Sequence, residues 1–488
     1  MTTIPVLSII VLAPVFAALL IGLFGGNPKV PRVIALAAGS ISLLGAVWVF
    51  ATYDRAAGGF QFAESTRWIP SLGVSYSLGV DGISVPMLLL TGLIIFAGVL
   101  VSWNVEERPR EYFALLLLLV TGVFGVFAAR DALLLFFFYE MAVLPKYLLI
   151  AVWGSTRKEY SAMKLTLFLL SGSAVVMLLL VLTYWQVGLH TFDMAVWAAH
   201  SYPLVFQKWV FLLALIGFGT LIPMWPLHSW LPSGHAAAPT AVSMLLAGVV
   251  LKIGAYGLIR LGLTLFPQGW ADWAVLMALI GVVNIVYGAF CAMSQTDLKY
   301  VIAYSSVSHM GYVLLGLAVG GNAGLTGAVF QMFAHGIMIA LFFALVGYVY
   351  DKTHTRTIAE ITGLMQRAPL VSACFIIAAA SSMGLPSTAG FVAELLVYVG
   401  VLLKSVWLAA AAFVGVVVTA AYLLRLLSRI LLGDPSEATA SLTDPTPLRF
   451  TPMAVLAAMT MLVGIVPGPL YSMISSGVAP LLQRLAGG

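Results

Sequence analysis

The chain has 488 residues, 62% of them hydrophobic and only 8% charged, with a mean hydropathy of +1.06. A soluble chain of this length exposes several domains' worth of charged surface, so the composition excludes that class and points to an all-α polytopic membrane protein, a single membrane domain over residues 1–488. The net charge of +5 is spread over connections and builds no basic domain, which excludes nucleic acid as a partner and leaves the lipid bilayer as the first one.

Taken in chain order, about 14 transmembrane helices are predicted, near 4–24, 30–51, 82–103, 111–129, 132–153, 162–187, 206–226, 239–262, 272–292, 300–319, 325–350, 369–404, 407–431 and 453–473. Each is an apolar run bounded by turn or charge signals, and about 20 residues of helix cross the hydrocarbon core. The first run, MTTIPVLSIIVLAPVFAALLIGLFG, lacks a basic leader and exceeds a signal-peptide core, so it reads as a retained span. Of the 23 Lys and Arg, 14 lie on odd-numbered connections and 7 on the other side, with Lys146 and Lys252 inside spans. By the positive-inside rule the odd connections are cytoplasmic, which predicts a multi-pass protein of the bacterial cytoplasmic membrane with both termini on the outer side. Cys291 and Cys374 sit singly in apolar runs and the seven histidines are scattered. Neither a metal site nor a bound redox centre is expected from such spacing.

Two spans are interrupted. The seventh runs into PMWPLHSWLPSGHAAAP, where Pro223, Pro226, Pro232 and Pro239 each remove a backbone donor, so a break is predicted around residues 226–239. The twelfth contains SSMGLPSTAGF, where Gly384 and Pro386 predict another. Freed backbone groups at membrane depth must be satisfied by protein or by a water-filled cavity. Breaks five spans apart suggest an internal repeat, and the odd offset makes the second copy enter the membrane inverted. The alternative is that each break is a packing kink.

Ionisable groups that the spans cannot easily hide come next: Glu140, Lys146, Lys252, His309, His335 and Glu394. Each charge at the bilayer centre costs on the order of 2.5 to 3.5 kcal/mol. For Glu140, Lys252 and Glu394 an amide would hydrogen-bond as well with less desolvation, which favours a role for the charge itself. A neutral imidazole bonded to a neighbouring helix would account for His309 or His335 without further function. Lys164, near the start of the sixth span, has a stem long enough to snorkel, and His228 and His235 flank the first break, where capping a freed carbonyl competes with moving a proton. Lys299 joins these as a secondary candidate. Acid, base and imidazole groups spread over several helices, with breaks admitting water, make the pattern of a proton relay.

The runs PMWPLHSWLPSGHAAAPTAVSMLLAGVVLKIGAYGLIR, QTDLKYVIAYSSVSHMGY and LGVDGISVPMLLLT resemble the antiporter-like subunits of proton-pumping NADH:quinone oxidoreductase, respiratory complex I, most closely its M chain, called subunit 4 in mitochondria. The resemblance implies inverted five-helix repeats over 111–262 and 272–431, each with a broken helix. It implies a proton pathway through Glu140, Lys252, His309, His335 and Glu394, and no metal. It also implies that this chain binds no cofactor itself, NADH, FMN, iron–sulfur clusters and quinone belonging to partner subunits, among them related antiporter-like chains. Subunits of multisubunit cation/proton antiporters and membrane-bound hydrogenases carry a similar relay and form the alternative. One departure stands out. The family pattern Lys-x-Pro-x-x-Pro-x-His reads LIPMWPLH here, so Leu221 occupies the lysine position, whereas the fifth span reads LPKYLLI and supplies Lys146. Lys146 is therefore the candidate compensating charge for Glu140. In an ideal helix the two lie about 120° apart and roughly 9 Å along the axis, but Pro145 cannot donate to the carbonyl of Met141, which predicts a kink. The alternative is a lysine that snorkels to the nearer membrane face or meets an adjacent subunit.

Overall fold

The computed structural model describes residues 5–24 and 27–487, so residue 4, where the first predicted span begins, lies outside the described residues. Among the described residues, 13 helices are long and apolar enough to cross a membrane, and Pro369–Ser382 with Ala389–Leu402 add a crossing made of two shorter helices. These correspond to the predicted spans in order.

Burial sorts the crossings into an inner and an outer set. The most apolar windows of the eighth span (Thr240–Leu263) and the eleventh (Gly321–Thr353) are wholly buried, while those of the first, sixth, ninth and thirteenth are 39% buried. The membrane-depth stretches of the inner helices are surrounded by protein; the outer helices turn side chains such as Leu19, Leu167 and Val275 outward. Close approach of the inner pair depends on two glycines. A Cβ on Gly336 would lie 2.7 Å from the carbonyl oxygen of Gly248, closer than carbon and oxygen tolerate, so only the bare backbone lets the eighth and eleventh spans touch there.

The eighth span is not a uniform α-helix. It contains two π-helical stretches, Leu246–Val250 and Leu258–Leu263, on either side of the α-helical turn that carries Lys252. The fifth span divides into Ala132–Met141 and Val143–Trp153 around Ala142, one turn before Pro145, as the missing donor predicts.

Both predicted breaks are present, with different boundaries. The seventh span ends at Leu221, earlier than the prolines suggested, because Pro223 follows within two residues; a short helix, Trp230–Ala237, then fills the middle of the interruption. The twelfth span stops at Ser382 and resumes at Ala389, with Gly384 at φ +66° making the turn.

Two regions depart from the sequence expectation. Residues between the second and third spans carry no apolar run, yet they form an antiparallel hairpin, β1 (Gln61–Ile69) and β2 (Val74–Val80). Its Glu64 accepts from the amides of Leu7 at 2.8 Å and Ser8 at 3.0 Å, placing a carboxylate on the positive end of the first span. The last crossing is Pro447–Ile465, not 453–473. Val466 and Pro467 interrupt the chain, and Gly468–Gly487 is a separate helix packed on the third and eleventh spans. Apolar residues on both sides of the interruption merge into one run when only hydropathy is read.

Candidate functional site

Lys252 is fully buried, and its neighbours supply polar partners for its amine. Nζ donates to the Ala247 carbonyl at 2.5 Å, an oxygen within the preceding π-helical stretch, and lies 2.7 Å from His335 Nδ1. A wide π turn offers carbonyls that a regular helix would engage, and such turns recur at functional sites. Among the described residues no carboxylate makes an ion pair with this lysine within 4 Å, and its partners there are a carbonyl and an imidazole.

From His335 the array continues. The rings of His335 and His309 lie 5.5 Å apart between centroids and 25° from parallel. His309, in the tenth span (Leu298–Val319), is held at both nitrogens: Nδ1 is 2.8 Å from the Ser305 carbonyl, and Nε2 is 3.2 Å from the Ser382 carbonyl freed by the twelfth-span break. Glu394 Oε1 stands 3.6 Å from the same Nε2. Two carbonyls and a carboxylate around one ring can hold both N–H groups of an imidazolium. Lys252, His335, His309 and Glu394 thus come from four spans and form one buried row. Gly384 is part of its architecture, because a Cβ there would lie 2.7 Å from Glu394 Oε2.

Glu140 stands apart. It is half-buried, with Phe137 and Leu144 exposed on either side. One of its carboxylate oxygens is shielded from solvent without a hydrogen-bond partner among the described residues, and so is Nζ of Lys146, which is fully buried. Glu140 is the charge whose field reaches Lys146, yet the two make no ion pair within 4 Å, in keeping with their 120° separation. Lys146 does not snorkel. Leu221 is buried with no exposure, so no polar group replaces the expected seventh-span lysine in place. Among the described residues, no hydrogen bond or ion pair joins Glu140 and Lys146 to the Lys252 row.

The secondary candidates divide by position. Lys299 donates to the Ala238 carbonyl at 2.7 Å, and Arg356 donates to the Ala236 carbonyl at 2.6 Å, so both cap the far end of the first break. His228 Nε2 is 3.2 Å from the Tyr287 hydroxyl. His235 is buried, stacked on Phe343 at 4.7 Å, and neither ring nitrogen has a partner among the described residues. Lys164 is half-buried at the edge, facing His228 electrostatically.

Three features escaped the reading of residues. Asn284 accepts from the Trp225 amide at 2.8 Å and donates to the Pro223 carbonyl at 3.1 Å, satisfying the near end of the first break. Asp81 pairs with Arg260 at 2.5 Å while accepting from the amides of Ile83 and Ser84, both at 3.0 Å. The signal was available in DGIS, where an acidic residue precedes a helix start. Tyr422 donates to Ser305 Oγ at 2.9 Å, beside His309. Among the described residues no three His, Cys, Asp or Glu side chains gather as a metal site would need.

Comparison with known proteins bears on the chain as a whole. Residues 129–419 match the family described as NADH:quinone oxidoreductase/Mrp antiporter, TM. The chain belongs to that family. It is 41% identical over 454 residues to an NAD(P)H-quinone oxidoreductase chain 4 of Picosynechococcus, covering 91% of this chain and 82% of that one. To an NADH-quinone oxidoreductase subunit M of Rhodobacter capsulatus it is 36% identical over 497 residues, covering 98% and 96%. Among solved structures it superposes on a chain of respiratory complex I from Thermus thermophilus with a TM-score of 0.90 and 29% identity, covering 98% of this chain and 99% of that one.

Proposed function

We propose that this chain is the M-type, or chain 4, proton-translocating membrane subunit of a bacterial NADH:quinone oxidoreductase. Electron transfer through NADH, FMN, iron–sulfur clusters and quinone takes place in partner subunits, and this chain moves protons in response. The observation that carries the reading is the row Lys252–His335–His309–Glu394, which links a fully buried ammonium to a carboxylate at the broken twelfth helix through two imidazoles. Lysine supplies a proton, the imidazoles pass it between nitrogens, and Glu394 releases it where the break loosens the helix. Glu140 and Lys146 form a separate charged station at the edge of the chain. Its half-buried carboxylate, flanked by exposed Phe137 and Leu144, suits coverage by a neighbouring subunit better than contact with lipid. The two interrupted spans support inverted repeats over 111–262 and 272–431, and the arginine- and lysine-rich connections support a cytoplasmic face opposite both termini.

The test is Lys252→Met in the intact complex, which keeps side-chain length and removes the titrating site. Proton pumping coupled to NADH oxidation should fall roughly tenfold or more, equivalent to at least about 1.4 kcal/mol on the limiting barrier, while the complex still assembles. Normal proton yield in an assembled variant would remove the role. A cation/proton antiporter or membrane-bound hydrogenase subunit is the second reading, since the matching family description spans both oxidoreductase and Mrp antiporter chains. Mild detergent extraction separates them: peripheral flavin and iron–sulfur subunits remaining with the chain mark the oxidoreductase, and small membrane partners alone mark the antiporter.

A further inference from the structure

A cavity of about 310 Å³ lies between the ends of the ninth, tenth and thirteenth spans, lined by Ser294, Gln295, Thr296, Val301, Tyr422 and Arg425 among others. It opens on the face of the lysine- and arginine-rich connections, where Thr296 and Arg425 are exposed. None of the ionisable groups assigned above lines it. Its inner end nevertheless approaches one of them closely.

Val301, Ser305 and His309 follow one another at intervals of four on the tenth span, so they stack along one helix face, about 6 Å apart per step. Val301 lines the cavity, Ser305 is one turn deeper, and His309 is one turn deeper again. From the opposite side Tyr422, only 3% exposed, lines the same cavity and extends its hydroxyl past Val301 to Ser305 Oγ at 2.9 Å. Ser305 Oγ lies 3.3 Å from His309 Nδ1. Thr419 and Ser382 also lie within reach of the phenol. Two hydroxyls, each able to accept one proton and donate another, therefore separate the cavity from an imidazole in the buried row. A cavity of about 250 Å³ also lies at the far end of the first break, lined by Ala237, Ala238, Pro239 and Lys299 among others, but there the freed carbonyls of Ala238 and Ala236 are held by Lys299 and Arg356.

We propose that this cavity is an aqueous mouth leading to His309 and that the Tyr422 hydroxyl is the gate between them. The inference rests on the proton-translocating reading above. In the transfer, water in the cavity gives a proton to the phenolic oxygen as the phenol gives its own to Ser305 Oγ. Ser305 in turn gives its proton to Nδ1 of an imidazole protonated on Nε2. The water loses one proton and His309 gains one; both hydroxyls end neutral, with their O–H bonds reoriented. The new Nδ1–H meets the Ser305 carbonyl at 2.8 Å, and Nε2–H faces the Ser382 carbonyl at 3.2 Å, so the imidazolium is received by groups already in place.

The experiment uses the intact complex in sealed vesicles. Tyr422→Phe keeps the ring and removes the hydroxyl. Separately, Thr296→Cys in a Cys291→Ser background is treated with a membrane-impermeant thiosulfonate, added to each face in turn, to fill the mouth. The expected result is a fall in NADH-driven proton pumping of roughly tenfold for Tyr422→Phe. Reaction of Thr296→Cys should occur from the lysine- and arginine-rich face alone and give a similar loss, and labelling should cause no further loss when Tyr422→Phe is also present. A packing role for the phenol would not produce that non-additivity. Pumping at the unaltered rate in Tyr422→Phe, failure of the cysteine to react from that face, or a labelled mouth that leaves pumping unchanged would each overturn the proposal. Lys252→Met, measured alongside, keeps the two levels apart. If it stops pumping while the mouth variants do not, only the gate is wrong; if all pump normally, the relay itself is wrong.

Discussion

Lys252 and Lys146 are both buried lysines without a carboxylate in contact, but their surroundings differ. Lys252 has an imidazole and a carbonyl within 2.7 Å, whereas Lys146 has, among the described residues, no hydrogen-bond partner and only the field of Glu140. A buried ammonium lacking both contact and counter-charge is costly, which is the physical ground for the proposal that Lys146 acts together with Glu140. Lys146→Met should therefore reduce pumping several-fold, and adding Leu221→Lys should restore part of it, because Leu221 occupies a buried position on the seventh span where the family pattern carries the charge. Pumping by the single and double variants in vesicles measures this; normal pumping by Lys146→Met alone would dismiss the relocated charge. Glu394 gives a second prediction. Glutamine keeps its size and hydrogen bonding but cannot titrate, so Glu394→Gln should lose activity while Glu394→Asp keeps part of it. Equal activity in the two would place Glu394 outside the relay.

At the level of elements, the two broken helices do different things with the backbone groups they free. At the first break Asn284, Lys299 and Arg356 hold freed backbone groups at its two ends. At the second, the Ser382 carbonyl faces His309 and Gly384 leaves room for the Glu394 carboxylate. Contact between the eighth and eleventh spans is as important as either break, since it sets the 2.7 Å approach of Lys252 to His335. Gly336→Ala puts a methyl against the Gly248 carbonyl, and backbone cannot move aside as a flexible side chain would. Overpacking of this kind costs about 1–3 kcal/mol. A lowered thermal midpoint of the solubilised complex, with pumping reduced more than the amount of assembled complex, is the expected outcome. An unchanged midpoint and unchanged pumping would show that the two helices can part without consequence.

Across the whole molecule, the buried Asp81–Arg260 pair ties the start of the third span to the end of the eighth. Arg260 also lies over the rings of Tyr256 at 4.8 Å and Phe60 at 5.2 Å, and Ser84 accepts from it at 3.1 Å, so hairpin-side and core elements meet on one guanidinium. Removing one member of such a pair leaves the other charge buried alone, at a cost of about 3–5 kcal/mol, whereas replacing both by apolar residues is far less damaging. Arg260→Leu should thus sharply reduce the yield of folded chain, and Asp81→Leu combined with Arg260→Leu should recover much of it. Quantifying membrane-inserted, protease-resistant protein tests this; equal loss in the single and double variants would contradict the pairing argument.

Length and hydropathy alone determined the number and order of the crossings, because an apolar run of sufficient length has only one low-energy place, the hydrocarbon core. They also located both interruptions, since Pro223 and Pro386 remove backbone donors whatever surrounds them. Glu140, Lys252, His309, His335 and Glu394 were legible as costly groups at depth, and the family resemblance grouped them. Only the tertiary structure decided that Lys252, His335, His309 and Glu394 form one row while Glu140 and Lys146 stand apart, as they come from helices far apart in the chain whose contacts depend on glycines such as Gly336. The hairpin over Gln61–Val80 and the separate helix Gly468–Gly487 were likewise invisible to hydropathy. The first is held by Glu64 against the first span, and the second is set off by Val466 and Pro467 within an apolar stretch that reads as continuous. Tyr422 was passed over for the same reason: a tyrosine in an apolar helix looks like packing until the fold brings its hydroxyl to Ser305 and its ring to a cavity. Periodicity and composition describe one helix at a time, and proton chemistry belongs to the contacts between them.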